Sequence, residues 1–386
     1  MNSKVSLACK LALGALLAAW VISNVETQDQ LVVTEKNGSE SAYAGSIQFE
    51  ESLGTFSFKA ATKYGTSISK KISIPDVKNP PPNFEPRPGF FSLLKWAKWE
   101  WVWWAIGLWT ILVLLASLRW QILLSAAGVQ VGYLKALRLC LVGWFFNNVV
   151  PGLTGGDLAR AVLITRNMTE NRWKATMSVI VDRVVGLVVL MALAAFVLGY
   201  LLFGESSLPV EKVASLSQAV FLFLGLVFFF SALYLSRRAR ALLGIEKWLK
   251  RLPGASTLGK ISEAVTIYRE RPRKLLAGIM LSVPLQISGV CAFFCVGKAL
   301  GADLLLAEIF IAFPIAQTLS AIPVSPAGWG VGEKIYGEFF ELFGSTFTVG
   351  VAVSLLFRFL TQVGFGLLGG LIWMLSAERK VQRGGL

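Results

Sequence analysis

The sequence predicts an all-α polytopic membrane protein with six transmembrane helices, two opposed re-entrant helical hairpins and a small extracytoplasmic β module. Three observations lead to this fold class. Of 386 residues, 55% are hydrophobic and only 16% are charged. Apolar runs of about 20 residues, the length that crosses a bilayer, recur along the chain. Lys and Arg, 37 against 23 acidic residues, cluster beside those runs. Such a composition excludes an ordinary soluble domain.

The apolar runs divide the chain into an N-terminal transmembrane anchor (1–24), an outer segment (25–88) and a transmembrane domain (89–386). We expect the first run to be an uncleaved anchor, because no small-x-small cleavage site follows it before Asn24. The six predicted spans are residues 7–24, 101–124, 174–203, 214–236, 275–298 and 346–376.

The distribution of Lys and Arg predicts the orientation of the spans. The loop 237–274 carries eleven basic and three acidic residues, so we place it in the cytoplasm together with both termini. Residues 25–100 then lie outside a bacterial-type cytoplasmic membrane. The basic loop either only sets the topology or also binds anionic lipid headgroups. No nucleic-acid partner is needed to explain it.

Two further apolar stretches, 133–150 and 304–323, conflict with this orientation if each crosses the membrane once. The conflict disappears if each stretch enters the bilayer and returns on the same side, turning at the Pro- and Gly-rich segments 147–157 and 323–333. Irregular backbone at membrane depth is tolerated where protein or a watery cavity satisfies it. The two hairpins would open to opposite sides, which is the inverted-repeat plan of many transporters.

The outer segment 25–88 is predicted to form a small β module followed by a proline-rich linker. Alternating apolar and polar residues predict strands at 46–50, 55–59 and 72–74. The prolines between Asn79 and Pro88 predict a stiff connection to the first full span. This module is also the segment that a cell-envelope partner would contact.

Ionisable and amide groups at membrane depth are costly, so they normally face a partner or a water path. An arginine at that depth can bind a lipid phosphate, and the free amides of glycines at a helix start can bind an anion. The acidic residues would hold the arginines in place or carry protons. Asp157 and Arg160 have the spacing of a local ion pair, so a purely structural role is an equal alternative for them. The predicted headgroup-binding residues are Asn147, Asn148, Gly155, Gly156, Asp157, Arg160, Asp182, Arg183, Glu333 and Arg358.

The residue content argues against the common catalytic and metal sites. The chain has no histidine, and its four cysteines lie in apolar runs. It therefore lacks the pairs used by Ser-His-Asp and Cys-His enzymes and most zinc ligands. No Walker A motif is present, so an ion gradient or the membrane potential would have to drive any transport. We expect no catalytic residues, no metal and no cofactor.

Four short motifs resemble a known family. They are FNNVVPG at 146–152, GGDLARA at 155–161, SVIVDRVVG at 178–186 and IPVSPAGWGVGE at 322–333. Together they are similar to the transmembrane region of lysylphosphatidylglycerol synthases, the flippase-like family, over about 101–376. Thr154, Ala327 and Trp329 differ from the commoner residues at their positions, and 25–88 is longer than the usual outer loop.

The resemblance implies a protein that moves lipids or lipid-linked molecules between leaflets. The aminoacyltransferase domain of the fused members has no counterpart in this sequence, so that activity is not carried over. The predicted function is flipping or transport of an anionic phospholipid or lipid-linked phosphate. Two alternatives remain open: a membrane enzyme acting on a lipid-linked donor through Asp157 or Glu333, and a cell-envelope assembly protein.

Overall fold

The computed structural model describes residues 16, 19–34, 40–50, 55–60, 72–74, 84–149, 155–166, 168–203, 217–218, 220–226, 229, 267–320 and 329–383. Its chain divides into two compact units. The first comprises 1–102, 295–304 and 329–356, and the second comprises 103–294, 305–328 and 357–386.

The first unit contains an antiparallel sheet and part of the helical region. The strands are β1 (Asp29–Thr34), β2 (Glu40–Glu50), β3 (Thr55–Ala60), β4 (Ile72–Ile74) and β5 (Phe84–Arg87). Their order is β4-β3-β2-β1-β5, with Leu31 of β1 opposite Tyr43 of β2 and Pro86 of β5. The strand predictions at 46–50, 55–59 and 72–74 are confirmed.

A buried carboxylate ties the sheet to the chain that leaves it. Asp29 Oδ2 accepts a hydrogen bond from the Ile47 amide at 2.7 Å, and Oδ1 accepts one from the Gly89 amide at 2.8 Å. Gly89 approaches Gln28 so closely that a Cβ atom there would lie 2.7 Å from the Gln28 carbonyl carbon. The end of the sheet and the following segment are therefore held together within this unit.

Helices make up most of the remaining described chain. They are α1 (Phe90–Lys95), α2 (Trp99–Ala126), α3 (Tyr133–Val149), α4 (Gly155–Thr165), α5 (Arg172–Phe203), α6 (Pro272–Ala299), α7 (Leu306–Ser320), α8 (Val331–Leu342), α9 (Phe347–Arg358) and α10 (Phe365–Arg383). A π-helical segment, Phe359–Gly364, joins α9 to α10.

Within the described residues, four helical stretches are long and apolar enough to cross a membrane: Trp99–Ala126, Arg172–Leu202, Pro272–Ala299 and Phe347–Leu375. They confirm four of the six predicted spans. The other two, 7–24 and 214–236, fall largely outside the described residues. The complete arrangement of six spans and two re-entrant hairpins stays a prediction.

The second unit brings five helix ends together. A buried cluster joins the end of α2, the start of α3, the end of α4 and the start of α5, through residues that include Leu124, Ala136, Ile164 and Ala175. The start of α6 joins the same end, because Arg271 and Lys274 both donate to the Ser125 carbonyl near the end of α2. Cations suit this place, since the last carbonyls of a helix lack intrahelical donors.

Candidate functional site

The first predicted turn lies between α3 and α4, which pack side by side in antiparallel directions. They approach closely at Gly156, where a Cβ atom would lie 2.2 Å from the Gly143 carbonyl oxygen. Only glycine fits there, because any side chain would overlap the α3 backbone. Residues 150–154, the centre of the predicted turn, lie outside the described residues.

Asn147 and the two glycines build the start of α4. Gly155 is the first residue of the helix, and both glycines are buried. The Gly156 amide donates to Asn147 Oδ1 at 2.7 Å, so an α3 side chain satisfies one of the free N–H groups at this helix start. The predicted anion-binding amide of Gly156 is therefore already paired, and Asn147 holds the two helices in register.

Five charged side chains of the second unit form one chain of alternating ion pairs, Arg119–Asp182–Arg160–Asp157–Arg183, which we call the charge chain. Arg119 Nε lies 2.8 Å from Asp182 Oδ1, and Arg160 Nη2 lies 3.3 Å from Asp182 Oδ2. Arg160 Nη1 lies 3.4 Å from Asp157 Oδ1, and Arg183 pairs with Asp157 Oδ2. All four carboxylate oxygens thus accept from a guanidinium group.

Burial changes steadily along the charge chain. Arg119 and Asp182 each expose 7% of their side chains, whereas Arg160 exposes 13%, Asp157 25% and Arg183 32%. Charges at the buried end depend on one another, because removing one partner leaves an uncompensated ion in a poorly solvated place. The Arg183 end is the most exposed part of the charge chain.

Neighbouring side chains hold the arginines in place. The Arg160 guanidinium carbon lies 4.2 Å from the centre of the Trp120 ring, a cation–π arrangement. Trp120 Nε1 in turn donates to Ser178 Oγ at 3.2 Å. Arg119 Nη1 donates to Ser282 Oγ on α6 at 3.0 Å. Among the described residues, Arg160 Nε is buried without a hydrogen-bond acceptor.

The charge chain lies away from the shared end of the five helices, further along α2 and α5. Arg119 is about 10 Å along α2 from Ala126, and Asp182 is about 15 Å along α5 from Arg172, at 1.5 Å per residue. At that shared end, Tyr268 Oη donates to the Leu123 carbonyl at 3.1 Å. Burial and the nearby charge of Asp182 raise the pKa of the Tyr268 phenol. The phenol therefore stays a neutral donor.

Asn148 lies at a second close contact, between α3 and the last helix. Its Nδ2 donates to the Trp144 carbonyl at 3.2 Å and to the Gln362 carbonyl in the π-helical segment at 2.8 Å. A Cβ atom on Gly369 would lie 1.9 Å from the Leu141 carbonyl oxygen. Small residues that let helices approach closely are typical of membrane helix packing. Asn148 thus satisfies a carbonyl where regular helical bonding is interrupted.

Arg358 and Glu333 are not members of the charge chain. Buried Arg358 ends α9, beside Phe357, whose ring lies 5.1 Å from that of Trp109. Trp109 is about 15 Å along α2 from Arg119. Glu333 belongs to the first unit, where its Oε2 accepts from the Gly330 amide at 2.7 Å and caps α8. Gly330 has φ +82°, a conformation that favours glycine.

Arg119 and its serine partner Ser282 were not among the predicted site residues. The sequence does carry a signal for Arg119, because it is the sole charged residue in the apolar run 101–124. A charge in such a place indicates a partner inside the bundle. Ser282 and Trp120 have no comparable signal, since serine and tryptophan are common in membrane helices.

Comparison with known proteins gives one family and several relatives. The family described as Lysylphosphatidylglycerol synthase TM region matches residues 89–369. A UPF0104 membrane protein of Pyrococcus horikoshii is 23% identical over 285 residues, 69% of this chain and 84% of that protein. One from Methanothermobacter thermautotrophicus is 26% identical over 289 residues, 71% of this chain and 81% of that protein. No solved structure matches the chain.

Proposed function

Because the chain belongs to the lysylphosphatidylglycerol synthase TM region family, we propose that it moves phospholipid or lipid-linked phosphate between the two leaflets of a membrane. The family and the four long apolar helices make it a multi-pass integral membrane protein. The charge chain is the observation that carries the transport proposal. It brings together three guanidinium groups in a chain with four long apolar helices, and arginine within a membrane is expensive unless it serves a partner or a pathway.

Arginine suits the proposed ligand. A guanidinium group presents paired N–H donors that match two oxygens of a phosphate, and it stays charged at all relevant pH values. Arg183 and Arg160 lie at the more exposed end of the charge chain, so they are the groups that a headgroup phosphate would meet first. Asp157 holds both arginines in the absence of lipid, and the phosphate would compete with it. Asp182 keeps Arg160 in place from the buried side.

Arg358 is proposed to serve a deeper part of the same path. Arg358 is buried beside the π-helical segment Phe359–Gly364, where helical hydrogen bonding is irregular. Such segments are frequent at functional sites. Asn148 adjoins this segment through Gln362. Asn147, Gly155 and Gly156 support the path by holding α4 against α3. Glu333 supports the second hairpin by capping α8.

The proposal includes the membrane topology predicted from the charges. In the antiparallel pair α3 and α4, the start of α3 and the end of α4 lie beside the end of α2 and the starts of α5 and α6. This arrangement supports a hairpin that enters and leaves the bilayer on one side. We place that side in the cytoplasm, because the shared end carries Arg269, Arg271, Arg273 and Lys274. The second hairpin would open to the outside and complete an inverted repeat.

The enzyme alternative receives less support from the geometry. A general base or a metal ligand needs an accessible carboxylate oxygen. Both oxygens of Asp157 accept from arginine side chains. Glu333 is buried, and its Oε2 accepts from the Gly330 amide. The assembly alternative concerns residues 25–88, and replacement of Asp29 separates it from transport.

Exchange of labelled phospholipids between leaflets tests the proposal. Vesicles holding the purified protein should exchange lipid, and Arg160→Gln and Arg358→Ala should each lower the rate at least about tenfold, the loss of one charge-assisted contact. Arg269→Gln, which removes an exposed arginine at the shared helix end, is the matched control and should leave the rate unchanged. Absence of exchange for every headgroup by the wild-type protein would refute the transport proposal.

A further inference from the structure

The short helix α1 has one buried and one exposed apolar side. Leu93 is buried, with 4% of its surface exposed, whereas Phe91 exposes 66% and Leu94 37%. Phe91 and Leu94 are three residues apart, so they lie on the same face of the helix. Lys95, which follows Leu94, is also exposed. An exposed apolar face of this kind indicates contact with a membrane or with another protein.

The position of α1 in the first unit favours a membrane contact. The Lys98 amide, three residues after α1, donates to the Ala299 carbonyl at 2.8 Å. Ala299 is the last residue of α6, and α2 begins at Trp99. Both of these helices are long and apolar enough to cross a membrane. Helix α1 therefore adjoins the level at which one such helix starts and another ends.

The residues around α1 have the composition of a membrane interface. Trp99 and Trp101, at the start of α2, are exposed, and tryptophan is enriched at the level of the lipid headgroups. Lys95 and Lys98 are exposed as well. Long basic side chains at such a level reach the headgroup phosphates while their alkyl parts stay near the acyl chains. A lipid surface explains the apolar, aromatic and basic groups together.

From these observations we propose that α1 is an interfacial helix whose partner is the lipid at one membrane surface. Phe91 and Leu94 enter the boundary between headgroups and acyl chains, and Lys95 and Lys98 bind headgroup phosphates beside them. An amphipathic helix of this type lies in the plane of the interface and buries its apolar side chains about 5–10 Å deep. This attachment to lipid is independent of any lipid movement between leaflets.

Attachment of α1 would also hold the sheet at the membrane surface. The start of α1 is bonded twice to the segment that leads into β1. The Phe90 amide donates to the Glu26 carbonyl at 2.9 Å, and the Gly89 amide donates to the Asp29 carboxylate at 2.8 Å. The Glu26 amide in turn donates to Thr348 Oγ1, near the start of α9, at 3.0 Å. Because this segment is fixed at both ends, an α1 that is bound to lipid keeps the sheet close to the membrane.

Depth-dependent fluorescence quenching tests the inference on the purified full chain in vesicles of phosphatidylcholine and phosphatidylglycerol. Phe91→Cys and Leu94→Cys, each made in a background without the four natural cysteines, are labelled with an environment-sensitive fluorophore. Thr34→Cys is the matched control, because Thr34 is exposed and lies about 17 Å from Asp29 along β1, at 3.3 Å per residue. The quencher is either phospholipid spin-labelled high on its acyl chain or iodide in the surrounding water.

The labels on Phe91→Cys and Leu94→Cys should be quenched by the spin-labelled lipid. They should also resist iodide at least about fivefold better than the label on Thr34→Cys. Equal access of iodide to all three labels would overturn the inference. Protection from iodide without quenching by the lipid would overturn it too, because another protein chain would then cover the face.

A second substitution tests whether the apolar side chain drives insertion. With the label on Leu94→Cys, Phe91→Asp should reduce quenching by the lipid at least about twofold, since a carboxylate is costly at the level of the acyl chains. Phe91→Leu, the conservative control, should retain the quenching. Position 91 is exposed, so the fold should tolerate both substitutions. Unchanged quenching in Phe91→Asp would contradict insertion of this face.

Discussion

The Arg119 guanidinium on α2 lies 2.8 Å from the Asp182 carboxylate on α5, and both side chains are almost completely buried. Asp182 also accepts from Arg160, and Arg160 reaches the more exposed Asp157. A deeply buried arginine thus helps to position the more exposed charges of the chain. This relationship links α2 to the consecutive helices α4 and α5.

Replacing Arg119 should destabilise the protein more than replacing an exposed arginine. Arg119→Ala leaves Asp182 with a single cationic partner in a buried site, and breaking such pairs costs about 3 kcal/mol. Thermal or denaturant unfolding in detergent measures the loss. Arg138→Ala, at an exposed position near the start of α3, is the control. Equal stability of the two variants would contradict a structural role for the buried pair.

Gly156 should not tolerate alanine. The added Cβ would lie 2.2 Å from the Gly143 carbonyl oxygen, so α3 and α4 must move apart. We expect a loss of about 2 kcal/mol in the free energy of unfolding, typical of overpacking. Gly107→Ala on α2 is the matched control, because no atom beyond the neighbouring backbone of its own helix lies within 4 Å of its Cβ position. The idea fails if both substitutions have the same effect.

The predicted topology can be checked with single cysteines in a cysteine-free background. Glu170→Cys lies between α4 and α5, on the cytoplasmic side in our proposal, and Ser345→Cys lies between α8 and α9, on the outside. Membrane-impermeant thiol reagents added to intact cells should label only Ser345→Cys. Labelling of Glu170→Cys under those conditions would rule out the inverted-repeat arrangement.

Asp29 should matter for the sheet and not for lipid exchange. Asp29→Ala leaves the Ile47 and Gly89 amides without their carboxylate acceptor, which costs about 2 kcal/mol for buried donors. Limited proteolysis should show faster cleavage within 25–88, while leaflet exchange stays within about twofold of wild type. Glu85→Ala removes an exposed acid of β5 and is the control. A large loss of exchange in Asp29→Ala alone would favour a direct part for the sheet in transport.

The local ion pair between Asp157 and Arg160 was predictable from spacing, because residues three apart on a helix lie on one face. The contacts of Asp182 with Arg119 and Arg160 were not. They join residues 63 and 22 positions apart, and no periodicity in the sequence encodes which helices will be neighbours. For the same reason Arg119 was visible as an anomalous charge but not as the partner of Asp182.

The sequence by itself determined the features that depend on composition and short-range pattern. These are the four long apolar helices, the strands at 46–50, 55–59 and 72–74, and the family motifs around Asn147 and Asp182. Only the tertiary structure decided that the Gly156 amide is paired with Asn147 and that five charged side chains form one chain of ion pairs. The physical reason is that helix packing selects which costly polar groups meet, and that choice depends on the shapes of whole helix faces.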